Sequence, residues 1–216
     1  MTEENWIVNS KTLPVSKLTP KGRATRWRIV TAAAQIMQAQ GVMHTSTEDV
    51  REAAGVSSSQ LYHYFSDKRS LVHAVIEYQT ERVLGAQREY LGHLDSIRAL
   101  RQWRNLLVGV EQGLRCEGGC PLGTLTAQLA ETEPAARVDL CRAFEQWEEG
   151  IRSGLRAMHD RGEFPKQVDP DRLATALLAA VEGGFLLTQV RRDTAPLEHA
   201  LDTMLDYIES LTALPD

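Results

Sequence analysis

The chain has 216 residues, of which 43% are hydrophobic and 25% are charged, and its formal net charge is −5 at pH 7. It holds no apolar run near the roughly 20 residues that a membrane-spanning helix needs, which argues against a membrane protein. The N-terminal residues lack a signal-peptide pattern and the three cysteines do not suggest a disulfide framework, so the sequence predicts a cytoplasmic protein with a buried core.

Positive charge is concentrated near the N-terminus. Residues 1–70 contain nine Lys or Arg and six Asp or Glu, a net charge of +3, whereas the remaining 146 residues contain fifteen and twenty-three, a net charge of −8. Residues 11–28 contain six basic residues and no acidic one. A basic N-terminal third on an acidic body favours a nucleic-acid-binding head joined to a second functional region.

Residues 1–20 are predicted to form a flexible arm, because they contain Pro14 and Pro20 and show no hydrophobic periodicity. The basic residues of this arm and of the following turn suit two roles. They can lie along a DNA backbone or enter the minor groove, as basic arms do elsewhere, or they can belong to a solvated tail. The residues concerned are Lys11, Lys17, Lys21 and Arg23.

The first helix is predicted from about Lys21 to Gln40. Apolar residues at three- and four-residue spacing define its inward face. They are Trp27, Val30, Ala33, Ala34 and Met37. Gly41 then ends the helix.

Residues 45–71 are predicted to form two short helices joined by a tight turn. The first helix runs from Thr47 to Ala54 and follows Ser46, whose hydroxyl can cap it together with an acidic residue, Asp49, three positions later. Gly55 marks the turn, and Ser57 can cap the second helix in the same way. Two short helices joined by a Gly-containing turn form the unit that places its second helix in the major groove of DNA.

The second of these helices carries hydroxyl, amide and aromatic residues where a surface helix typically carries Glu and Lys. Four side chains at its front are able to bond base edges: Ser58, Ser59, Gln60 and His63. Three others are placed to reach phosphate oxygens: Tyr62, Tyr64 and Lys68. Leu61 and Phe65, about one helical turn apart, are predicted to hold the helix against its neighbour.

The rest of the chain is predicted to be helical. A helix opens at Ser66-Asp67-Lys68 and continues to about Leu91. Further helices are predicted at 96–115, 122–131, 134–161, 170–191 and 196–213. Pro134, Pro170 and Pro196 each lie near a helix start, where the missing N–H costs nothing. Since no stretch has the pattern of a strand, the predicted fold class is all-α.

The string T-S-x-x-D-V-x-x-A-A-G-V-S-x-x-x-L-Y-x-Y-F-x-x-K-x-x-L at 45–71 resembles the DNA-binding signature of the TetR family of bacterial transcriptional regulators. The resemblance covers about residues 24–75. It implies a homodimer in which each N-terminal head reads one half of a palindromic operator in double-stranded DNA. It also implies that a small-molecule inducer enters the C-terminal domain and releases the protein from DNA.

Carried onto this chain, the resemblance together with the capping pattern gives eight candidate DNA-binding residues. They are Thr47, Ser57, Ser58, Ser59, Tyr62, His63, Tyr64 and Lys68. The chain departs from the family at Ser58-Ser59, where many members carry a basic residue and Gly, so direct guanine readout by this pair is not expected. The predicted organisation is an arm at 1–20, a three-helix helix-turn-helix domain at 21–70, and a helical ligand-binding and dimerisation domain at 71–216.

The body also resembles the LmrA/YxaF-type subgroup of drug- and flavonoid-responsive repressors, through the segments beginning at Cys120 and Glu133 and through Phe144-x-x-Trp147. Ligand pockets are mainly apolar with a few polar groups. On that basis nine residues are candidate contacts for a small lipophilic ligand, with plain core as the alternative for most of them: Trp103, Leu107, Leu125, Gln128, Phe144, Trp147, Ile151, Phe185 and Gln189. The last two helices are predicted to form the dimer interface, where Gly183-Gly184 would allow close backbone approach; a kink beside the pocket is the alternative.

Cys116 and Cys120 allow a second hypothesis, a thiol-based sensor of oxidants or electrophiles, because a thiol at a loop–helix junction can have a lowered pKa. The simpler interpretation is that one is buried and the other incidental, with Cys141 in the core. Their spacing does not match a zinc site, and no metal or cofactor is expected. The sequence lacks the common catalytic motifs, so no enzymatic activity is expected. A helical protein-interaction module is a remote alternative.

Overall fold

The computed structural model describes residues 18–212, and in this range the chain is helical without a strand. The ten helices are α1 Pro20–Gln40, α2 Thr47–Ala54, α3 Ser58–Tyr64, α4 Lys68–Gly85, α5 Arg88–Leu91, α6 Ile97–Gly113, α7 Pro121–Leu129, α8 Pro134–Asp160, α9 Pro170–Arg191 and α10 Ala195–Thr212. The all-α prediction is confirmed. The described chain divides into two compact units, the first ending at Tyr78 and the second beginning at Gln79.

Helix starts follow the proline pattern of the sequence. Pro20, Pro121, Pro134 and Pro170 each occupy the first turn of their helix, where a residue without an N–H loses no helical hydrogen bond. The predicted starts near Pro134 and Pro170 are therefore confirmed.

The core of the first unit is built by one face of α1 and by residues of α2 to α4. Ile29 and Ala33 of α1 are fully buried, and Val50 of α2 is also fully buried. Trp27 was predicted to face inward, but its side chain is 61% exposed and makes an edge-on ring contact with Tyr78 at 5.1 Å between centroids. Trp27 lies at the edge of the apolar face of α1, which explains why its neighbours on that face are covered while it is not.

The predicted helix from Lys68 to Leu91 is broken. α4 ends at Gly85, and a separate short helix, α5, begins at Arg88. Between them, Gln87 is buried, and its Oε1 accepts a hydrogen bond of 2.8 Å from Nε1 of Trp103. The break thus places a polar partner on the buried indole of Trp103, which would otherwise lose its hydrogen bond to water.

The second unit packs α9 against both α8 and α10, with Leu177, Val181, Leu201 and Leu205 fully buried. Gly184 permits the α9–α10 contact, because a Cβ at this position would lie 2.9 Å from Cα of Leu197 on α10. Close backbone approach at the Gly183-Gly184 pair was predicted between two protomers, whereas Gly184 allows it between α9 and α10 of one chain.

Gly183 differs from Gly184, since it is exposed and a Cβ there would meet nothing within 4 Å. Among the described helices, α9 is the only one that is long and apolar enough to cross a membrane by its length and composition. Many of its apolar residues, including Leu173 and Phe185, are buried against neighbouring helices, which is the arrangement of a core helix.

Candidate nucleic-acid interface

Ser46 and Asp49 fix the start of α2 through two reciprocal hydrogen bonds. The backbone N–H of Asp49 donates to Oγ of Ser46 at 3.1 Å, and the backbone N–H of Ser46 donates to Oδ2 of Asp49 at 2.8 Å. The bond from the Ser46 amide lowers the pKa of the Asp49 carboxyl. The predicted cap is confirmed, and it satisfies amides that a helix leaves unpaired in its first turn.

The turn between α2 and α3 depends on Gly55, which has a φ of 60° in the left-handed region. Glycine adopts this conformation without the steric cost that a Cβ brings. Two residues later, Ser57 caps α3: the Gln60 N–H donates to Oγ of Ser57 at 3.2 Å, and the Ser57 N–H donates to Oε1 of Gln60 at 2.9 Å. The cap predicted at Ser57 is confirmed. The side-chain oxygen of Gln60, which was predicted to face base edges, is instead used within the cap.

α3 presents a polar face and an apolar face. Its exposed residues include four of the predicted DNA contacts: Ser58, Ser59, Tyr62 and His63. On the opposite face Leu61 is 2% exposed, and Phe65, which follows the helix, is also 2% exposed. The two apolar residues thus hold α3 in place as predicted, and the four polar residues are free of the core.

Tyr64 lies beside the N-terminus of α1. Its side chain is half-buried, and its Oη lies 3.4 Å from the position that a Cβ on Gly22 would take. The first turn of α1 is capped by Thr19, whose Oγ1 accepts from the Gly22 N–H at 3.1 Å. A tyrosine hydroxyl next to the N–H groups of a helix N-terminus is a combination that suits a phosphate oxygen. The pair Thr19-Pro20 was the overlooked sequence signal for this helix start.

Thr47 and Lys68 are both half-buried, each at the first position of its helix. The start of α4 is fixed by Asp67, whose Oδ1 accepts from the Ser70 N–H at 2.7 Å. This bond lowers the pKa of the Asp67 carboxyl. Lys68 thus begins α4 directly after the turn that follows α3, and it is close in sequence to the exposed polar residues of α3.

Some basic residues of the first unit are already engaged. Arg51 donates to both carboxylate oxygens of Glu48, at 2.6 and 2.9 Å. Arg26 lies 5.4 Å from the ring centroid of Phe65 and 3.8 Å from a carboxylate oxygen of Glu77. These two guanidinium groups therefore support the unit internally.

The basic arm is described in part. Lys11 and Lys17 lie outside the described residues. Lys21 and Arg23 are exposed in the first turn of α1, and Nη1 of Arg23 donates to the carbonyl of Leu18 at 2.7 Å. Lys21 and Arg23 thus place positive charge near the Tyr64 hydroxyl.

The predicted ligand contacts fall in the core of the second unit. Six of the nine are buried: Trp103, Leu107, Leu125, Trp147, Ile151 and Phe185. The other three are half-buried: Gln128, Phe144 and Gln189. Two grooves on the described surface, lined around Arg101 and Asp206 and around Tyr90 and His93, include none of the nine. Their role as ligand contacts remains a prediction.

The cysteines do not have the character that a reactive thiol needs. Cys116 and Cys120 are both buried, and desolvation raises the pKa of each thiol, with Glu111 and Glu182 respectively as the next cause. The lowered pKa that the sequence suggested for a loop–helix junction is therefore wrong, although Cys120 does cap α7. Cys141 was predicted to be in the core, but it is exposed on α8.

The capped α2, the left-handed turn at Gly55 and the exposed polar face of α3 define a helix-turn-helix DNA-binding unit. Comparison with known proteins agrees. The family profile "Bacterial regulatory proteins, tetR family" matches residues 29–75, and the profile "Tetracyclin repressor-like, C-terminal domain" matches residues 96–204. The chain belongs to the TetR family of transcriptional regulators.

Individual relatives align over most of the chain. The transcriptional repressor DhaR of Mycobacterium sp. (strain GP1) is 24% identical, over 85% of this chain and 91% of its own length. The crystal structure of a TetR regulator from Chloroflexus aurantiacus is 27% identical, with a TM-score of 0.76 over 88% of this chain and 96% of that one. The regulator YxaF of Bacillus subtilis is 22% identical over 80% of this chain and 89% of its own length, and the subgroup assignment stays a prediction.

Proposed function

We propose that the protein is a homodimeric repressor that binds a palindromic operator and leaves it when a small lipophilic ligand enters the body. The observation that carries the DNA-binding part is the exposed polar face of α3, held by a cap at one end and by Leu61 and Phe65 beneath. The proposed organisation is an arm at 1–20, a DNA-binding domain at 21–70, and a ligand-binding and dimerisation domain at 71–216. The proposed location is the cytoplasm, where the chromosome is accessible.

Within the DNA-binding domain, the exposed residues of α3 divide into two roles. Tyr62 is 56% exposed and, with Tyr64 and Lys68, is proposed to hold phosphate oxygens, which sets register without reading sequence. Ser58 and His63, with Ser59 beside them, are proposed to contact base edges. The cap leaves the side-chain NH₂ of Gln60 as its remaining donor.

The homodimer is supported by an apolar surface on α9 and α10. Four large apolar residues there are exposed in the single protomer: Leu186 by 61%, Leu187 by 46%, Val190 by 74% and Tyr207 by 53%. Exposed apolar patches of this kind mark protein contacts. Leu201 and Leu205 of α10 are fully buried within their own protomer, so the proposed interface uses the opposite side of this helix.

Release from DNA is proposed to follow from two states of the dimer. DNA favours the state whose two α3 helices are about 34–36 Å apart, one turn of the double helix. A ligand shifts this equilibrium only by its difference in affinity for the two states. Since both Cys116 and Cys120 are buried with raised pKa values, release is proposed to depend on ligand binding and not on thiol oxidation.

The DNA-binding proposal is tested by fluorescence anisotropy with a fragment that carries the protein's own promoter region. The affinity is expected to fall with salt, at a slope of about −0.9 per phosphate neutralised. Tyr62→Ala is expected to weaken binding to all sequences, while Tyr62→Phe isolates the loss of the hydroxyl. Ser58→Ala and His63→Ala are expected to change which sequence is preferred.

Two results would contradict these assignments. Salt-independent binding, or none at low salt, would favour the alternative of a protein-interaction module. An equal loss on every sequence from substitutions at Tyr62, Ser58 and His63 would remove the distinction between phosphate and base contacts. Hydrogen peroxide is expected to leave operator binding unchanged, and loss of binding that Cys116→Ser and Cys120→Ser prevent would restore the thiol hypothesis.

A further inference from the structure

The side-chain amide of Gln60, in the first turn of α3, has one group engaged by the protein and one group free. Its Oε1 accepts from the Ser57 N–H at 2.9 Å, while its own backbone N–H donates to Oγ of Ser57 at 3.2 Å. Its Nε2 has no hydrogen-bond partner in the part of the chain that the structure describes. The side chain is exposed. The cap therefore leaves the NH₂ of Gln60 available to a partner outside the protein.

The orientation of this amide is fixed by the group that it meets. A backbone N–H can only donate, so the atom of Gln60 that faces Ser57 must be the carbonyl oxygen and not the NH₂. Oxygen and nitrogen lie on different arms of one planar amide, so an oxygen held against the backbone turns the nitrogen away from it. An unrestrained glutamine can rotate and offer a base either a donor or an acceptor. In α3 the same side chain offers a donor.

The neighbouring exposed side chains of α3 do not have such a fixed polarity. Ser58 and Ser59 carry hydroxyls, which rotate and can either donate or accept. The neutral imidazole of His63 has one donor nitrogen and one acceptor nitrogen, and the proton can be on either. These groups can each adapt to more than one base. Of the exposed side chains of α3, the Gln60 amide is the one whose polarity is decided by the fold.

The major groove presents a pattern of donors and acceptors that a fixed donor can distinguish. Guanine offers O6 and N7 as acceptors and thymine offers O4, whereas the exocyclic N4 of cytosine is a donor. A glutamine can also recognise adenine by accepting from N6 and donating to N7, but this two-point contact needs the oxygen as well as the NH₂. Because Ser57 engages the oxygen of Gln60, the NH₂ is left to contact an acceptor alone.

We propose that Gln60 is a specificity-determining residue, which selects guanine or thymine at one base pair of each half-site through its Nε2 donor while its Oε1 holds the cap of α3. The inference rests on the proposed function, because it concerns a contact to the same operator. One net hydrogen bond corresponds to about two- to ten-fold in affinity, which is the discrimination expected at that base pair. The same side chain thus starts α3 and reads DNA.

The test selects preferred sequences from a library of randomised DNA duplexes, with the full-length protein and with two variants of opposite design. Gln60→Glu keeps the cap, since glutamate serves equally in a capping box, but it replaces the donor by an acceptor. Gln60→Lys keeps a donor and gives up the bond from the Ser57 N–H. The measured quantity is the preferred base at each position, because a change of charge alters the affinity for every sequence.

Gln60→Glu is expected to change the preference at one position of each half-site, from guanine or thymine to cytosine, whose N4 can donate to a carboxylate. Gln60→Lys is expected to retain guanine or thymine there. Ala53→Glu, which adds an acid at an exposed position of α2, is the control for charge and is expected to retain the original preference. Fluorescence anisotropy with duplexes that differ only at this position is expected to show a ratio of about two- to ten-fold for the unchanged protein.

Three outcomes overturn the inference: an unchanged preference in Gln60→Glu, loss of the preference in Gln60→Lys, or the same shift to cytosine in Ala53→Glu. The first two would mean that Gln60 only caps α3, and the third would assign the shift to charge. Urea unfolding is expected to show that Gln60→Glu is as stable as the unchanged protein, and its failure to fold would refute the preserved cap. If the unchanged protein selected no sequence, the proposed function would fail, whereas a selected sequence that Gln60→Glu reproduces refutes this inference alone.

Discussion

Gly184→Ala is expected to destabilise the protein by forcing α9 and α10 apart. The new Cβ would lie 2.9 Å from Cα and 2.7 Å from Cδ1 of Leu197. Carbon atoms pack at about 3.5–4.0 Å, so both contacts are repulsive. Cδ1 could rotate away, but Cα belongs to the backbone of α10 and moves only with its helix. Leu197 is fully buried, so the displacement would disturb a packed core.

The size of the effect is a difference between two terms. Alanine is favoured over glycine in a helix interior by up to about 1 kcal/mol. Overpacking a core by one methyl costs about 1–3 kcal/mol, and the upper part of this range applies when backbone must move. The net expectation is a loss of about 1–2 kcal/mol, or roughly 2–4 °C in Tm per kcal/mol for a protein of this size.

The assay is urea unfolding followed by circular dichroism, together with the Tm. Gly109→Ala is the control, because Gly109 lies within α6, is exposed, and a Cβ there would meet nothing within 4 Å. This variant is expected to gain up to about 1 kcal/mol from helix propensity. If Gly184→Ala also increased the free energy of unfolding, the close approach of α9 and α10 would be refuted as the reason for the glycine.

Three further predictions concern the cap, the dimer face and a buried acid. Ser57→Ala removes one half of the α3 cap and is expected to cost about 1 kcal/mol of stability, measured by urea unfolding, and to weaken operator binding; an unchanged operator affinity would show that α3 does not need its cap. Val190→Asp is expected to give a monomer in sedimentation, while Val110→Asp, which changes a residue 44% exposed on α6, is expected to leave the dimer intact; equal behaviour of the two would exclude the proposed face. Burial raises the pKa of Glu111 above its ordinary 4.5, so the folded state binds the proton more tightly and the free energy of unfolding falls as pH rises through that raised value. Glu111→Gln removes this loss, and urea unfolding should show its advantage over the unchanged protein growing from pH 4 to neutral pH; a constant difference would refute it.

The helix ends were predictable where local chemistry sets them. α8 was predicted at 134–161 and is observed at Pro134–Asp160, because proline fixes its start. The caps at Ser46 and Ser57 were predictable for the same reason, since each needs only its own side chain and one residue three positions later. Interactions within four residues are contained in the sequence pattern itself.

Features that depend on distant partners were not predictable. The helix expected to reach Leu91 breaks near Gln87, whose partner Trp103 is sixteen residues away. Trp27 has the residue type of a core position, but its exposure depends on which part of α1 the neighbouring helices cover. The two adjacent glycines looked equivalent in sequence, and only the position of Leu197 separates Gly184 from Gly183.

The candidate sites differ in the same way. The DNA-binding face was predictable because α3 is short and its capping and packing residues leave a single exposed side. The buried acid Glu111 was overlooked, although it stands on the apolar stripe of α6 and gave a sequence signal. The half-buried Glu182 gave no such signal, because its carboxyl lies beside Gly123 of another helix.

The geometry of α3 has a consequence for how the proposed repressor selects its operator. Basic side chains that bond guanine in two places are absent at Ser58 and Ser59, and the cap takes the side-chain oxygen of Gln60. Each good two-point contact to a base contributes about 1–3 kcal/mol of discrimination, and single bonds from serine or histidine contribute less. One α3 helix therefore separates operator from other DNA only modestly, and the two helices of a dimer must act together. Discrimination then depends on the fixed distance between the two α3 helices. Val190→Asp changes a residue that is not proposed to contact DNA, yet it should reduce the ratio of specific to nonspecific affinity more than the nonspecific affinity itself.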